Sequence, residues 1–138
     1  MNRRIESIKG LLEDSTLVVI KGGAVSRFSR RGVADLLWIL DNDADLLRGA
    51  SVADKIIGKA AASLMIMGGV SNVYTPKITV AALQMLQAAE IGVEYDSTIE
   101  FVENRTHTGR CPLDTLCADM SEPSEMAAAI RDFLNQQK

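Results

Sequence analysis

Ile5, Ile8, Leu11 and Leu12 recur at the three-and-four spacing that lines one face of a helix, so residues 2–14 are predicted to form an amphipathic helix. Thr16 to Ile20 is instead a β-branched run, and a second short run, Ala24 to Phe28, follows Lys21-Gly22-Gly23. Two such runs around a glycine pair predict a β-hairpin, because glycine supplies the positive φ angles of a tight turn. Leu36, Leu37, Trp38 and Leu40 mark a helix over 33–40, which the polar segment Asp41-Asn42-Asp43-Ala44-Asp45 interrupts or ends.

Ser51 then reads as the N-cap of a helix over 52–67, with Asp54 three positions on as in a capping box. Past Lys59 this helix is nearly all apolar, which predicts burial on most sides. Gly68-Gly69 stops it, and Val70 to Tyr74 reads as a strand. Thr75-Pro76 offers an N-cap and a first-turn proline for a helix over 77–90. Val93–Tyr95 and Thr98–Val102 read as strands, and 104–110 as a polar loop. Cys111-Pro112 begins a short helix, and Met126, Ile130, Phe133 and Leu134 give 124–136 an apolar face expected to cover the sheet. Helix and strand alternate after the hairpin. That order predicts one α/β domain spanning 1–138, a three-layer α/β/α sandwich around a mixed sheet of four to five strands.

Composition adds limits. The chain has 138 residues, of which 47% are hydrophobic, too many for a disordered protein. A net charge of −3 has the wrong sign for non-specific nucleic-acid binding, which depends on neutralising phosphates. The basic cluster Arg27, Arg30 and Arg31 reads as a solvated turn. The most apolar stretch, Ala60 to Val70, is about half a membrane span in length. With no apolar leader at Met1–Glu6 and only two cysteines, the expectation is a reduced, cytoplasmic protein needing no membrane and no cofactor.

Two places could carry chemistry. At the first, Ser51, Asp54, Lys55 and Lys59 cluster at the predicted helix start, with Lys55 and Lys59 four apart on one face. Gly58 between them costs about 1 kcal/mol of helix propensity, which implies a close approach or a ligand. A lysine beside helix N–H groups can hold a phosphate or carboxylate, or act as a base or nucleophile. The bland reading is that Asp54 caps the helix while both lysines reach water. The second place is Asn104-Arg105-Thr106-His107-Thr108-Gly109-Arg110-Cys111-Pro112. Arg105 and Arg110 flank a helix N-terminus with Cys111 as N-cap, a setting that lowers a thiol pKa, although Asp114 opposes it. The bland alternative is a packed capping cysteine. His107, Cys111 and Cys117 do not match the spacing of a structural zinc site.

The run Ser51-Val52-Ala53-Asp54-Lys55-Ile56-Ile57-Gly58-Lys59-Ala60-Ala61-Ala62, with Asn104-Arg105 and Thr108-Gly109-Arg110-Cys111-Pro112-Leu113, resembles a small bacterial family known as domain of unknown function 1893. The resemblance spans about residues 15–135. It implies a cytidine-deaminase-like fold, in which two central helix N-termini converge on one pocket. Here Asp54, Lys55 and Thr75 would line that pocket, and the loop from Asn104 to Cys111 would fold over it. The zinc deaminases need H-x-E or C-x-E at the first helix and P-C-x-x-C at the second. The corresponding residues are Ala53-Asp54-Lys55 and Thr75-Pro76-Lys77-Ile78, so zinc-dependent deamination is not expected.

Three readings follow. One is a metal-independent enzyme with Lys55, Asp54 and Cys111 as catalytic residues. The second, ranked with it, is a binding module for an anionic small molecule, a nucleotide or phosphorylated metabolite, held by Ser51, Lys59, Thr75, Asn104, Arg105, Thr108, Gly109 and Arg110. The alternative is a structural or interaction module, including a homo-oligomer, that uses these residues only for packing.

Overall fold

In the computed structural model, residues 10–30, 33–103 and 108–136 are described. Most of the helix predicted over 2–14 lies outside them. The hairpin forms as expected from β1 (Leu17–Lys21) and β2 (Ala24–Phe28), paired antiparallel from Leu17↔Phe28 to Lys21↔Ala24. Gly22 and Gly23 have φ of 57° and 83°, as the two-residue turn requires. After α1 (Ala34–Asn42) and a single 3-10 turn come β3 (Ser51–Asp54), β4 (Ile56–Ile57), α2 (Lys59–Gly68) and β5 (Asn72–Thr79). They are followed by α3 (Val80–Ala88), β6 (Gly92–Ile99), α4 (Pro112–Cys117) and α5 (Pro123–Gln136).

The sheet has six strands rather than four or five. β1 pairs antiparallel with β3, and β3, β4 and β6 all pair parallel with β5. β3 and β4 meet β5 in one register, Ser51↔Asn72 through Ile57↔Ile78, so they are two pieces of one interrupted rail. β6 pairs with the same β5 residues and therefore takes the opposite edge. β2 runs parallel to β3, since both oppose β1. The crossovers through α1, α2 and α3 all step in one direction, and right-handed connections place all three helices on one face.

That face holds the main core, including Leu17, Val19, Val52, Ile57, Val73 and Ile78 from the sheet and Leu36, Ile39, Leu64, Met65 and Leu86 from the helices. The other face carries Val18, Ala53 and Tyr74, covered by Leu11 and Leu12 from the chain before β1. The result is the three-layer α/β/α arrangement. α2 is buried along most of its length, as its apolar sequence requires. One reason corrects an expectation: the apolar face of α5 (Met126, Ala127, Ile130) packs on α2, flanked by α4 and α1, rather than on the sheet.

Three further expectations are corrected. Residues 51–57 are strand, and α2 starts at Lys59, so Ser51 caps no helix and Asp54 belongs to no capping box. Val52, Ile56 and Ile57 are β-branched, β3 lies between β1 and β5, and β4 continues the pairing with β5, which outweighs the local helix signal. Likewise, Thr75-Pro76 does not open a helix. β5 continues to Thr79, whose hydroxyl accepts from Ala82 N at 3.1 Å and is the true cap of α3. The two short strands expected at 93–95 and 98–102 are one, β6.

Candidate functional site

The sheet breaks at one row. Val52 and Ile57 face the same core although they are five residues apart, and so do Val73 and Ile78. An unbroken strand would put each pair on opposite faces. Pro76 lies at the break. It has no N–H to donate, and both ladders skip it, pairing Thr75↔Tyr95 and then Lys77↔Ser97. Asp54 ends β3 beside this break, and its buried carboxylate accepts from the amides of Lys55 and Ile56. Burial pushes its pKa up to about 7, with those two bonds opposing the rise.

Around the break, Thr75 is fully buried, and its hydroxyl donates to the Lys77 carbonyl at 2.9 Å. Lys55 and Lys77 are exposed on adjacent rails, one residue apart in register. Neither ammonium group has a hydrogen-bonding or ionic partner among the described residues. Lys77 shares a row with Ile56, which is 41% exposed, and with Ser97. Ile78 faces the helices, so Lys77 projects from the other side of the sheet.

A second constellation joins α2 to α4. α2 has no side-chain cap of its own at Gly58. The Asp114 carboxylate, from the first turn of α4, caps it instead, accepting from Ala60 N at 3.4 Å and from the amides of Lys59 and Val102. Burial raises the Asp114 pKa, while these amides and the Lys59 charge pull it down. In return, Lys59 Nζ donates to the carbonyls of Met120 at 2.7 Å and Ala118 at 3.0 Å, just past the C-terminus of α4. Each charge thus lies at the helix end that favours it. Gly58 is explained by the same contact: a Cβ there would lie 2.3 Å from the Asp114 oxygens.

The structure therefore gathers Asp54, Lys55 and Thr75 at the break and leaves other candidates elsewhere. Ser51 sits at the opposite end of β3, about 10 Å along the strand, with its hydroxyl 2.6 Å from Asn72 Oδ1. Lys59 does not share a helical face with Lys55, because Lys55 precedes α2. Cys111 is the N-cap of α4 with Pro112 at N1, as expected, and packs partly buried against the main core. Its amide donates to the Val102 carbonyl at 2.6 Å. Arg110 is exposed, pairs with Glu103 as an isolated bridge and lies 5.3 Å over the Phe101 ring. Thr108 is exposed and Gly109 half-buried. Asn104, Arg105 and His107 lie outside the described residues.

Cys117 is fully buried, and burial, with Asp114 nearby, pushes its thiol up to about 11. No group of three His, Cys, Asp or Glu among the described residues could hold a metal. The true helix starts, Gly58-Lys59-Ala60 and Thr79-Val80-Ala81, carry no His or Cys either, so these residues do not fit a deaminase zinc. No helix is long and apolar enough to cross a membrane. Sequence reasoning missed Lys77, placed in a helix by the false Thr75-Pro76 signal, and missed the reach of Asp114 to another helix. The Gly58 signal was there, but nothing named its partner.

This mixed-sheet α/β architecture has solved counterparts. The sequence matches the family Domain of unknown function (DUF1893) over residues 8–134, and the chain belongs to that family. The crystal structure of a DUF1893 family protein from Thermotoga maritima is similar at a TM-score of 0.85 and 23% identity, covering 96% of this chain and 90% of that one. Two further structures resemble part of the chain. Acinetobacter baumannii RibD gives a TM-score of 0.46 at 15% identity, covering 68% of this chain and 34% of that one. A diaminohydroxyphosphoribosylaminopyrimidine deaminase/5-amino-6-(5-phosphoribosylamino)uracil reductase from Thermotoga maritima gives 0.43 at 18%, covering 58% and 28%. No activity is carried over from either. No curated protein matches the sequence.

Proposed function

We propose that this chain is a bacterial, cytoplasmic binding module for an anionic small molecule, a nucleotide or phosphorylated metabolite, held at the sheet break by Lys55 and Lys77. The observation that carries the reading is the pair of exposed ammonium groups on adjacent rails, both without a partner among the described residues. Neither ammonium group has a counter-charge among the described residues, and an anion bound at the break supplies one. Ile56 supplies an apolar surface and Ser97 a hydroxyl in the same row as Lys77. Asp54 and Thr75 lie behind them as buried support.

The test is calorimetric titration with inorganic phosphate, pyrophosphate and adenosine monophosphate. Binding should weaken about tenfold on Lys55→Ala or Lys77→Ala, the scale of one lost charged hydrogen bond. Equal affinity in wild type and both variants, or no binding at millimolar ligand, overturns the proposal. Mass analysis of the ligand after incubation then separates binding from turnover. One observation favours the structural alternative for part of the candidate set: Lys59 and Asp114 are already engaged in joining α2 to α4.

A further inference from the structure

The two edges of the sheet carry opposite charge. From residue 15 to 33 the sequence has Lys21, Arg27, Arg30 and Arg31 and no acid. From 78 to 104 it has Glu90, Glu94, Asp96, Glu100 and Glu103 and no base. The first stretch contains edge strand β2, and the second contains β6, whose outer side is unpaired among the described residues. Both edges therefore carry backbone N–H and C=O groups with no strand partner among the described residues.

Local partners modify this picture without reversing it. Arg30 is neutralised by Asp35 at 2.5 Å. Arg27 bonds Ser15 and comes only within 3.8 Å of the exposed Asp14, a weak pair in water. The Lys21 ammonium donates to the Asp45 carbonyl, which leaves its charge in place. On β6, Asp96 accepts from the Tyr74 hydroxyl, and Glu94 has no ion pair among the described residues.

The faces also agree. Val25 and Arg27 pair with Ile20 and Val18, so they project on the Val18–Ala53–Tyr74 side. Asp96, bonded to Tyr74, projects on that side too, and so does Glu94, two residues earlier. β2 and β6 run in the same direction. A second copy placed by a screw motion that continues the sheet twist therefore sets its β2 parallel beside β6, with Arg27 on the same face as Glu94 and Asp96. Pairing like edges does the reverse: β6 on β6 sets acids against acids, and β2 on β2 sets Arg27 against its own copy.

We propose that this chain associates head to tail with further copies of itself, the β2 edge of one adding to the β6 edge of the next. Like-edge pairing is disfavoured by charge, and the contact is heterologous, so it grows beyond a dimer into rings or filaments. The inference does not depend on the ligand reading, since it uses neither Lys55 nor Lys77.

Light scattering of the full chain at low salt tests it. The expected result is a mass above that of a dimer that rises with concentration or settles at a ring, and falls as salt is added. Arg27→Glu alone and Glu94→Lys alone should each weaken association about tenfold, since each turns an attractive cross-strand pair into a repulsive one. Both changes in one chain should restore it, and so should an equimolar mixture of the two single variants, because each edge of one then meets an edge of opposite charge on the other. Restoration by the double variant also shows that neither change acts by unfolding. A wild type that stays monomeric, an assembly that stops at two, or a double variant no better than the single ones overturns the proposal.

Discussion

Gly58→Ala is the most informative single change, because its cost comes from one contact. The backbone at Gly58 is extended, at φ −108° and ψ −172°, so alanine adopts it without strain. The added Cβ instead falls 2.3 Å from both Asp114 carboxylate oxygens, and the side chain must leave. α2 then loses the side-chain cap that Asp114 supplies, worth about 1 kcal/mol for a typical cap and more for a charged, partly buried one. Replacing glycine returns about 0.4–1 kcal/mol by restricting the unfolded chain. The expected net loss is about 1–2 kcal/mol, read as a lower urea midpoint with an unchanged slope.

The decisive comparison repeats Gly58→Ala in an Asp114→Ala background. With the carboxylate gone, the Cβ has room, and only the unfolded-state gain remains. The substitution should become neutral or stabilising by about 0.5 kcal/mol, giving a coupling energy of about 1.5–2.5 kcal/mol between the two sites. Equal cost in both backgrounds would show that Gly58 is needed for some reason other than Asp114.

Other outcomes follow from the same geometry. Asp54 has its folded pKa raised from 3.8 to about 7, so the native state holds a proton that the unfolded chain releases, and stability should fall as pH rises from about 4 to 7. Asp54→Asn should flatten that fall and be more stable than wild type at pH 8, by a few kcal/mol at most; an unchanged pH profile would refute the buried-acid account. Tyr74, pushed up to about 12 by burial and the adjoining Asp96, should titrate above the ordinary tyrosine range in an ultraviolet titration, and Tyr74→Phe should cost about 1 kcal/mol. Alkylation of the folded protein should modify the partly exposed Cys111 well before the buried Cys117, and equal rates would show that α4 opens readily.

Elements whose signals are local were legible in the sequence. Gly22-Gly23 sets the hairpin, Cys111-Pro112 starts α4, and the alanine-rich run buries α2, because turn geometry, proline's missing N–H and hydrophobic burial all act over a few residues. The misses share one cause. Ser51-Val52-Ala53-Asp54 imitates a capping box, and Thr75-Pro76 imitates a helix start, but both segments lie in the middle of the sheet. Their conformation is decided by β1, β5 and β6, which are distant in sequence. The site was half legible for the same reason: Asp54, Lys55 and Thr75 were found from the fold the resemblance implies, while Lys77 became visible only once β5 was seen to run through Pro76.

The two sequence stretches that carry the family resemblance meet in the structure, and the meeting separates their roles. Gly58, Lys59 and Ala60 from the first are fastened to Asp114, just past the second, through a cap in one direction and two carbonyl bonds in the other. Exchanging these residues would leave a helix end without its counter-charge, so their chemistry is used up in holding α4 against α2. Asp54 and Lys55 stand only a few residues earlier in the same stretch, yet no such fastening engages them. Among the described residues, one carries a buried carboxyl with no cation bonded to it, and the other an exposed ammonium with no anion beside it. Structural need explains the first group and leaves the second unexplained. A ligand is therefore best sought at the sheet break and not at the α2 N-terminus, where an internal carboxylate already sits.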